Sequence, residues 1–223
     1  MDRSLLSRAM EDYLKAIYKT QGQNQQVPTN MLSDYLGVAP ASVTNMCKKL
    51  AELNLVEYEP YQGVKFTPTG HKLALEIVRH HRLIELYLAE ALGVPWDQVH
   101  DEAEKLEHVI SEDLEERMAA ALGDPKFDPH GAPIPTRSGK IYQKDSGRLV
   151  DMKVGDNLIV VEVDDDNPEL LRYLGSLGIY PGVKMTFLMQ APFEGPLTLQ
   201  LDDQEFSLGY QAAKSVLVAL IDD

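Results

Sequence analysis

Thr29-Asn-Met-Leu-Ser-Asp-Tyr-Leu-Gly-Val-Ala-Pro-Ala-Ser-Val-Thr-Asn-Met-Cys-Lys-Lys-Leu50 decides how this chain of 223 residues is read. A short helix begins with Thr29 as N-cap and stops at Gly37-Val38, a tight turn. A second helix starts at Pro40, where proline sits well at the first helical position, and runs to about Leu53. Its apolar side is Val43, Met46, Leu50 and Leu53. Helix, short turn with glycine, helix is the helix-turn-helix layout.

Upstream, Met10, Tyr13, Leu14, Ile17 and Tyr18 fall at helical spacing and predict a helix over 7–20, which 22–28 interrupts. Downstream, two short β-like runs, 55–58 and 64–66, flank Pro60-Tyr-Gln-Gly63, a hairpin where a winged helix-turn-helix carries its wing. Thr67-Pro-Thr-Gly70 then opens a long helix to about Leu92, Gly93-Val-Pro95 breaks it, and a single helix is expected over 97–122.

From 123 to 151 the periodicity disappears, and Pro125, Pro129, Pro133 and Pro135 gather with Gly131, Gly139 and Gly147, which reads as a linker. Beyond it, 157–163, 183–189, 197–201, 205–208 and 215–220 look like five short strands, with a helix over 167–177, the pattern of a small SH3-like barrel. The expected class is mainly α with β. Four segments result: a winged helix-turn-helix domain (1–70), a helical domain (71–124), a Pro-rich linker (125–150) and an SH3-like β-barrel domain (151–223).

Thirty-five Asp and Glu against 21 Lys and Arg give a net charge of -14, which excludes a surface wholly devoted to nucleic acid. The excess is uneven. Residues 1–75 carry 8 basic and 7 acidic groups, 76–150 carry 9 and 15, and 151–223 carry 4 and 13, so the balances are +1, -6 and -9. A polyanionic partner is therefore expected at the first third. Cys47 is the one cysteine, so neither a disulfide framework nor a four-cysteine zinc site forms within one chain, and a reducing cytoplasm is the expected compartment. Neither a signal peptide nor a membrane span is legible.

His100-Asp-Glu-Ala-Glu104-Lys-Leu-Glu107-His108 concentrates metal-ligand chemistry, because steps of 4, 3 and 1 set His100, Glu104, Glu107 and His108 near one helix face. His81 and Glu85 repeat the i, i+4 relation on the preceding helix, which a helix hairpin brings alongside. A divalent cation offsets the repulsion of Glu104 and Glu107. His80 and His71 are expected on the surface.

The chain resembles the diphtheria toxin repressor family of metal-dependent regulators over nearly its whole length. The resemblance is carried by Met10-Glu-Asp-Tyr-Leu-Lys-Ala-Ile-Tyr18, Ala39-Pro-Ala-Ser-Val-Thr44, Leu55-Val56 with Thr67-Pro-Thr-Gly70, and Arg79-His-His-Arg-Leu83 with Glu85. Val99-His-Asp-Glu-Ala-Glu104, Leu106-Glu-His-Val109 and Gly131-Ala-Pro-Ile-Pro135 extend it. Leu174-Gly-Ser-Leu-Gly-Ile-Tyr-Pro-Gly182 with Pro192-Phe-Glu-Gly-Pro196 is similar to the SH3-like domain shared with ferrous-iron transport accessory proteins.

That resemblance implies a primary metal site at Asp12, Glu104, Glu107 and His108, and an ancillary site at His81, Glu85 and His100, to which the SH3-like domain adds Asp164 and Asn167. Asp128-Pro-His130-Gly131 stands where some streptococcal relatives have Cys-Pro-His-Gly ligands, so Asp128 and His130 join the candidates beside Glu85. The iron-responsive branch has methionine and cysteine at the positions of Asp12 and Glu104. Carboxylates there make a harder site that suits Mn(II), with Fe(II) second. Lys15 stands where short manganese regulators place a carboxylate, and its ammonium opposes a closely paired second ion there.

For double-stranded operator DNA, Ser42, Thr44 and Asn45 at the start of the second helix face the bases, with Pro40 and Ala41 for thymine methyls. Lys48, Lys49, Lys65 and wing residue Tyr61 are phosphate candidates. The expected function is a homodimeric, manganese-dependent transcriptional regulator, not an enzyme, repressing metal-uptake genes. The alternatives are an iron-dependent regulator of the same fold and a metallohydrolase, since His and carboxylate clusters also activate water.

Overall fold

The computed structural model describes residues 6–21, 26–142 and 145–221; part of the predicted break at 22–28 lies outside them. The chain divides into two compact units, Met1–His80 with Pro135–Lys140, and His81–Ile134 with Ile141–Asp223.

In the first unit, α1 (Arg8–Thr20) is capped by Ser7, whose side chain accepts from the Met10 amide at 3.4 Å. Next come α2 (Thr29–Leu36) and α3 (Pro40–Glu52), joined by Gly37 in the left-handed conformation (φ 63°), where a side chain would be strained. Thr29 is the first helical residue rather than the cap, which is Pro28. β1 (Val56–Glu59) and β2 (Gly63–Phe66) pair antiparallel as the wing. Leu14, Ile17, Leu32, Val43, Cys47, Leu50, Leu55 and Val64 share one buried core, which fixes the helix-turn-helix against α1 and the wing.

Helix α4 (Pro68–Leu92) spans both units. The single helix expected over 97–122 is two, α5 (Val99–Leu106) and α6 (Glu112–Ala121). The break has a local cause: Ser111 is an N-cap whose hydroxyl accepts from the Leu114 amide at 3.2 Å, and three acidic residues in the first turn of α6 favour a helix start there. His80, expected at the surface, is buried.

The expected linker is also corrected. Asp128, His130, Gly131, Ala132, Ile134 and Pro135 are buried, and Phe127 bridges Pro133. β4 (Asn157–Val163) receives this segment: the Val163 amide donates to the His130 carbonyl at 2.9 Å. Gly131 (φ 89°) lies so close to β4 that a Cβ would stand 2.1 Å from the Val161 carbonyl oxygen. Proline density signalled a segment without helix or strand period, and this one folds by docking on a strand.

The C-terminal part of the second unit is an antiparallel sheet ordered β3-β8-β4-β5-β6-β7, with β3 (Gly147–Arg148), β5 (Lys184–Gln190), β6 (Leu197–Leu201), β7 (Gln204–Leu208) and β8 (Val216–Leu220). The five expected strands are present, and the two-residue β3 is a sixth. α7 (Pro168–Ser176) and the short α8 (Tyr210–Lys214) pack on a core of Leu149, Leu158, Leu171, Phe187, Leu199 and Val218. Tyr180 stacks near Trp96 (centroids 4.7 Å), and Arg172 pairs with Asp97 at 3.1 Å, so α7 and its following turn hold the 93–98 connection.

Candidate metal centre

Within the second unit, α4 and α5 present facing ligands. His81, one of the most deeply buried polar residues, uses both ring nitrogens: Nδ1 lies 2.5 Å from Glu107 Oε2 and Nε2 lies 2.9 Å from Glu85 Oε1. His100 Nδ1 reaches the same Glu85 Oε1 at 3.0 Å and His81 Nε2 at 3.1 Å. Glu104 approaches from the side, 3.9 Å from His81 Nδ1 and 3.6 Å from His100 Nε2. Glu107 caps α5 and His108 begins the following turn, its Nε2 3.4 Å from Glu107 Oε1. The helix therefore ends at the ligand pair that a continuous helix was expected to carry, and the i, i+1 pair converges through the turn.

Burial pushes Glu85 upward, but His81 beside it and hydrogen bonds from His100 and His81 more than offset that, holding its carboxyl below the usual range. Asp128 goes the other way. Burial and then the Glu85 charge push it well above the ordinary carboxylate value, with Arg82 opposing. Asp128 Oδ1 accepts from the His130 and Ala132 amides, both at 2.9 Å, which forms the turn. Its Oδ2 lies 3.5 Å from Arg82 Nε, an ion-pair distance without a hydrogen bond. His130 Nε2 sits 2.7 Å from the Trp96 carbonyl, and a carbonyl only accepts, so Nε2 carries the proton and Nδ1 keeps a lone pair.

Two groups of potential ligands in this unit share His81: one with Glu85, His100 and Asp165, the other with Glu104 and Glu107; a third joins Glu85, Asp128 and His130. In each, ligand atoms lie within 4.8 Å of one another. Asp165, not its expected neighbours, reaches His100, at 3.5 Å. Asn167 is the N-cap of α7, its Oδ1 accepting from the Glu169 and Leu170 amides at 2.9 and 3.1 Å, and Asp164 Oδ1 accepts from the Asp166 amide at 3.1 Å. Three consecutive aspartates offered no period to choose among them; an Asn-Pro helix start was the available signal that Asn167 would be occupied. Asp12 belongs to α1 in the first unit, as does the buried Lys15. The donor sets hold nitrogen and oxygen only, and a buried excess of carboxylate fits a hard divalent cation.

In the first unit, Pro40, Ala41, Ser42, Asn45, Lys48 and Lys49 are exposed on α3 and Thr44 is half-buried, while Val43, Cys47 and Leu50 face the core. Tyr61 is fully exposed at the wing tip in a left-handed conformation (φ 68°). Lys65 is bound to Glu57 across the wing at 2.8 Å. Among the described residues no helix is long and apolar enough to cross a membrane.

Residues 5–64 match the iron dependent repressor N-terminal DNA binding domain, 67–136 the iron dependent repressor metal binding and dimerisation domain, and 147–220 the FeoA domain. The chain is 40% identical over 114 residues to an uncharacterised HTH-type transcriptional regulator of Methanocaldococcus jannaschii, covering 51% of this chain and 91% of that one. It is 31% identical over 153 residues to the diphtheria toxin repressor of Corynebacterium glutamicum, covering 66% and 67%. Among solved structures, a manganese-dependent transcriptional repressor in complex with manganese superposes with a TM-score of 0.89 at 36% identity, over 95% of this chain and all of that one.

Proposed function

The chain belongs to the iron-dependent repressor family of metal-dependent, DNA-binding transcriptional regulators, and from that premise we propose that it is a homodimeric repressor of metal-uptake genes whose operator binding is switched on by Mn(II). The family consists of regulators rather than enzymes, which removes the metallohydrolase alternative.

The observation that carries Mn(II) is the donor chemistry. Asp12 and Glu104 stand where a softer site would have thioether and thiol, and the ligand groups contain only imidazole and carboxylate. Similarity to a repressor solved with manganese supports the same metal. Mn(II) is the weakest binder of the late first-row divalent series, so selectivity lies in coordination number and geometry rather than affinity.

Asp12, Glu104, Glu107 and His108 hold the primary ion in this reading; His81, Glu85, His100 and Asp165 hold the ancillary one. The bound ion supplies positive charge that brings carboxylates together. The chain's own residues do the rest. Asp12 comes from the helix preceding the helix-turn-helix and the other primary ligands from α5 and its turn, so one coordination sphere restricts the DNA-binding unit to one arrangement. That arrangement sets the two recognition helices of a dimer about 34 Å apart, one turn of B-DNA. Ser42, Thr44 and Asn45 then read base edges, Pro40 and Ala41 meet thymine methyls, and Lys48, Lys49 and Tyr61 hold the backbone. Lys65 contributes less than the other lysines because Glu57 engages its charge.

Gel shifts of promoter fragments of divalent-cation importers, run with Mn(II), Fe(II) and Zn(II), test this. Retardation that requires metal and is strongest with Mn(II) is expected; strongest retardation with Fe(II) favours the iron-dependent alternative, and none with any metal sinks the regulator reading.

A further inference from the structure

A cavity of about 570 Å³ lies between the Pro-rich turn and β4, inside the second unit, and none of its lining residues belongs to a ligand group of the metal centre. That size suits a small molecule. Its walls are largely apolar: Phe127 and Pro133 from the turn, Ile141 and Tyr142 from the stretch after it, and Val161 from β4. Asp145 and Glu162 add two carboxylates, and among the described residues no lysine or arginine lines it.

The strand is distorted where it meets this cavity. Val160 pairs with Val218 and Glu162 with Leu217, so Val161 is the extra residue of a β-bulge. Consecutive strand residues ordinarily face opposite sides. The bulge lets Val161 and Glu162 line the same space, which sets a carboxylate beside an apolar wall. Tyr142 already engages an ammonium, with Lys126 Nζ 4.9 Å from the centre of its ring. Among the described residues, neither Asp145 nor Glu162 joins a group of three metal donors, which disfavours an inorganic cation. Two carboxylates on an aromatic, apolar wall call instead for a ligand with two positive charges and a hydrocarbon body.

We propose that this cavity binds an aliphatic diammonium of the polyamine class, its ammonium groups paired with Asp145 and Glu162 and its methylene chain lying on Phe127, Pro133 and Tyr142. The acidic last third, with 4 basic and 13 acidic groups, draws such cations toward it. Because the walls come from both the turn and β4, an occupied cavity holds the turn on its strand. The site stands apart from the metal switch proposed above, and its occupancy needs no metal.

The test is isothermal titration calorimetry of the full chain, stripped of metal by dialysis, with putrescine and, for comparison, butylamine, which carries a single charge. Saturable binding of one putrescine per chain at physiological ionic strength is expected, with butylamine weaker by about 2- to 5-fold, the range of an exposed ion pair. Tyr142→Leu is expected to weaken putrescine by about 2- to 30-fold, the range of a cation–π contact, while Tyr142→Phe, which keeps the ring, binds as wild type does. Glu162→Gln is expected to bring putrescine down to the affinity of butylamine. Circular dichroism establishes that each variant is folded, and Glu162→Gln, which keeps the side chain's shape, decides should Tyr142→Leu not fold. Failure of wild type to bind putrescine overturns the proposal. So does binding that is equal for the two amines, or that neither Tyr142→Leu nor Glu162→Gln changes, since general attraction to an acidic surface then accounts for it.

Discussion

Asp128 and Glu85 are fully buried carboxyls shifted in opposite directions, and their contributions to stability run oppositely with pH. A carboxyl raised by folding binds its proton more tightly in the native state. Its contribution is complete below its ordinary value, about 3.9 for aspartate, and is lost as pH climbs through the raised one. Glu85, lowered, contributes above its ordinary value, about 4.3, and loses that contribution as pH falls further. Asp128→Asn cannot ionise, so in the presence of chelator it is expected to melt higher than wild type at pH 7, with the advantage gone at pH 4. Equal melting temperatures at pH 7 would show that Asp128 is not held against its charge. Cys47 gives a second check at this scale. Burial pushes its thiol up to about 11, so native protein at pH 8 is expected to resist alkylation and unfolded protein to react. Lys48, Lys49 and Lys65 are all exposed, and the ion pair with Glu57 sets Lys65 apart. Lys48→Ala is expected to reduce the salt dependence of operator binding by about one unit of slope, the value of one phosphate contact, whereas Lys65→Ala, paired with Glu57, changes it little.

Elements were legible where period and punctuation agreed. Pro40 and Gly37 mark the helix-turn-helix, and β4 and β6 have the expected bounds because their apolar runs end at turn residues on both sides. The break between α5 and α6 was not, because an apolar period continues through 107–111 and Ser111, its actual signal, is an ordinary residue until its hydroxyl is seen to cap. The Pro-rich segment reads as a linker since proline and glycine density reports only the loss of helix and strand periods; its burial depends on a strand that lies far along the chain. Asp165 was missed among three aspartates for the same reason: which one turns inward is decided by the loop after β4, not by spacing. Gly131 makes that docking testable. A methyl 2.1 Å from the Val161 carbonyl, at a φ that disfavours side chains, should cost Gly131→Ala roughly 2–4 kcal/mol in chemical unfolding. A loss below about 0.5 kcal/mol, the range of neutral surface changes, would mean the turn is not held against β4.

Across the whole molecule, the division of charge takes on a mechanical meaning. The near-neutral first third carries the exposed face of α3, and the acidic remainder carries most of the carboxylates that the proposed switch assigns to metal. Such a chain has little bulk attraction for DNA, so its affinity must depend on metal, on dimerisation and on close base contacts. In the proposed switch, metal binding that involves Asp12, Glu104, Glu107 and His108 sets that affinity. Fluorescence anisotropy of a labelled promoter fragment, with Mn(II) titrated into wild type and Asp12→Ala, measures it directly. Wild type is expected to tighten on the order of 100-fold, within the usual range of coupling between sites, and Asp12→Ala to tighten hardly at all while still binding Mn(II) at the ancillary ligands. A full Mn(II) response in Asp12→Ala would contradict the account.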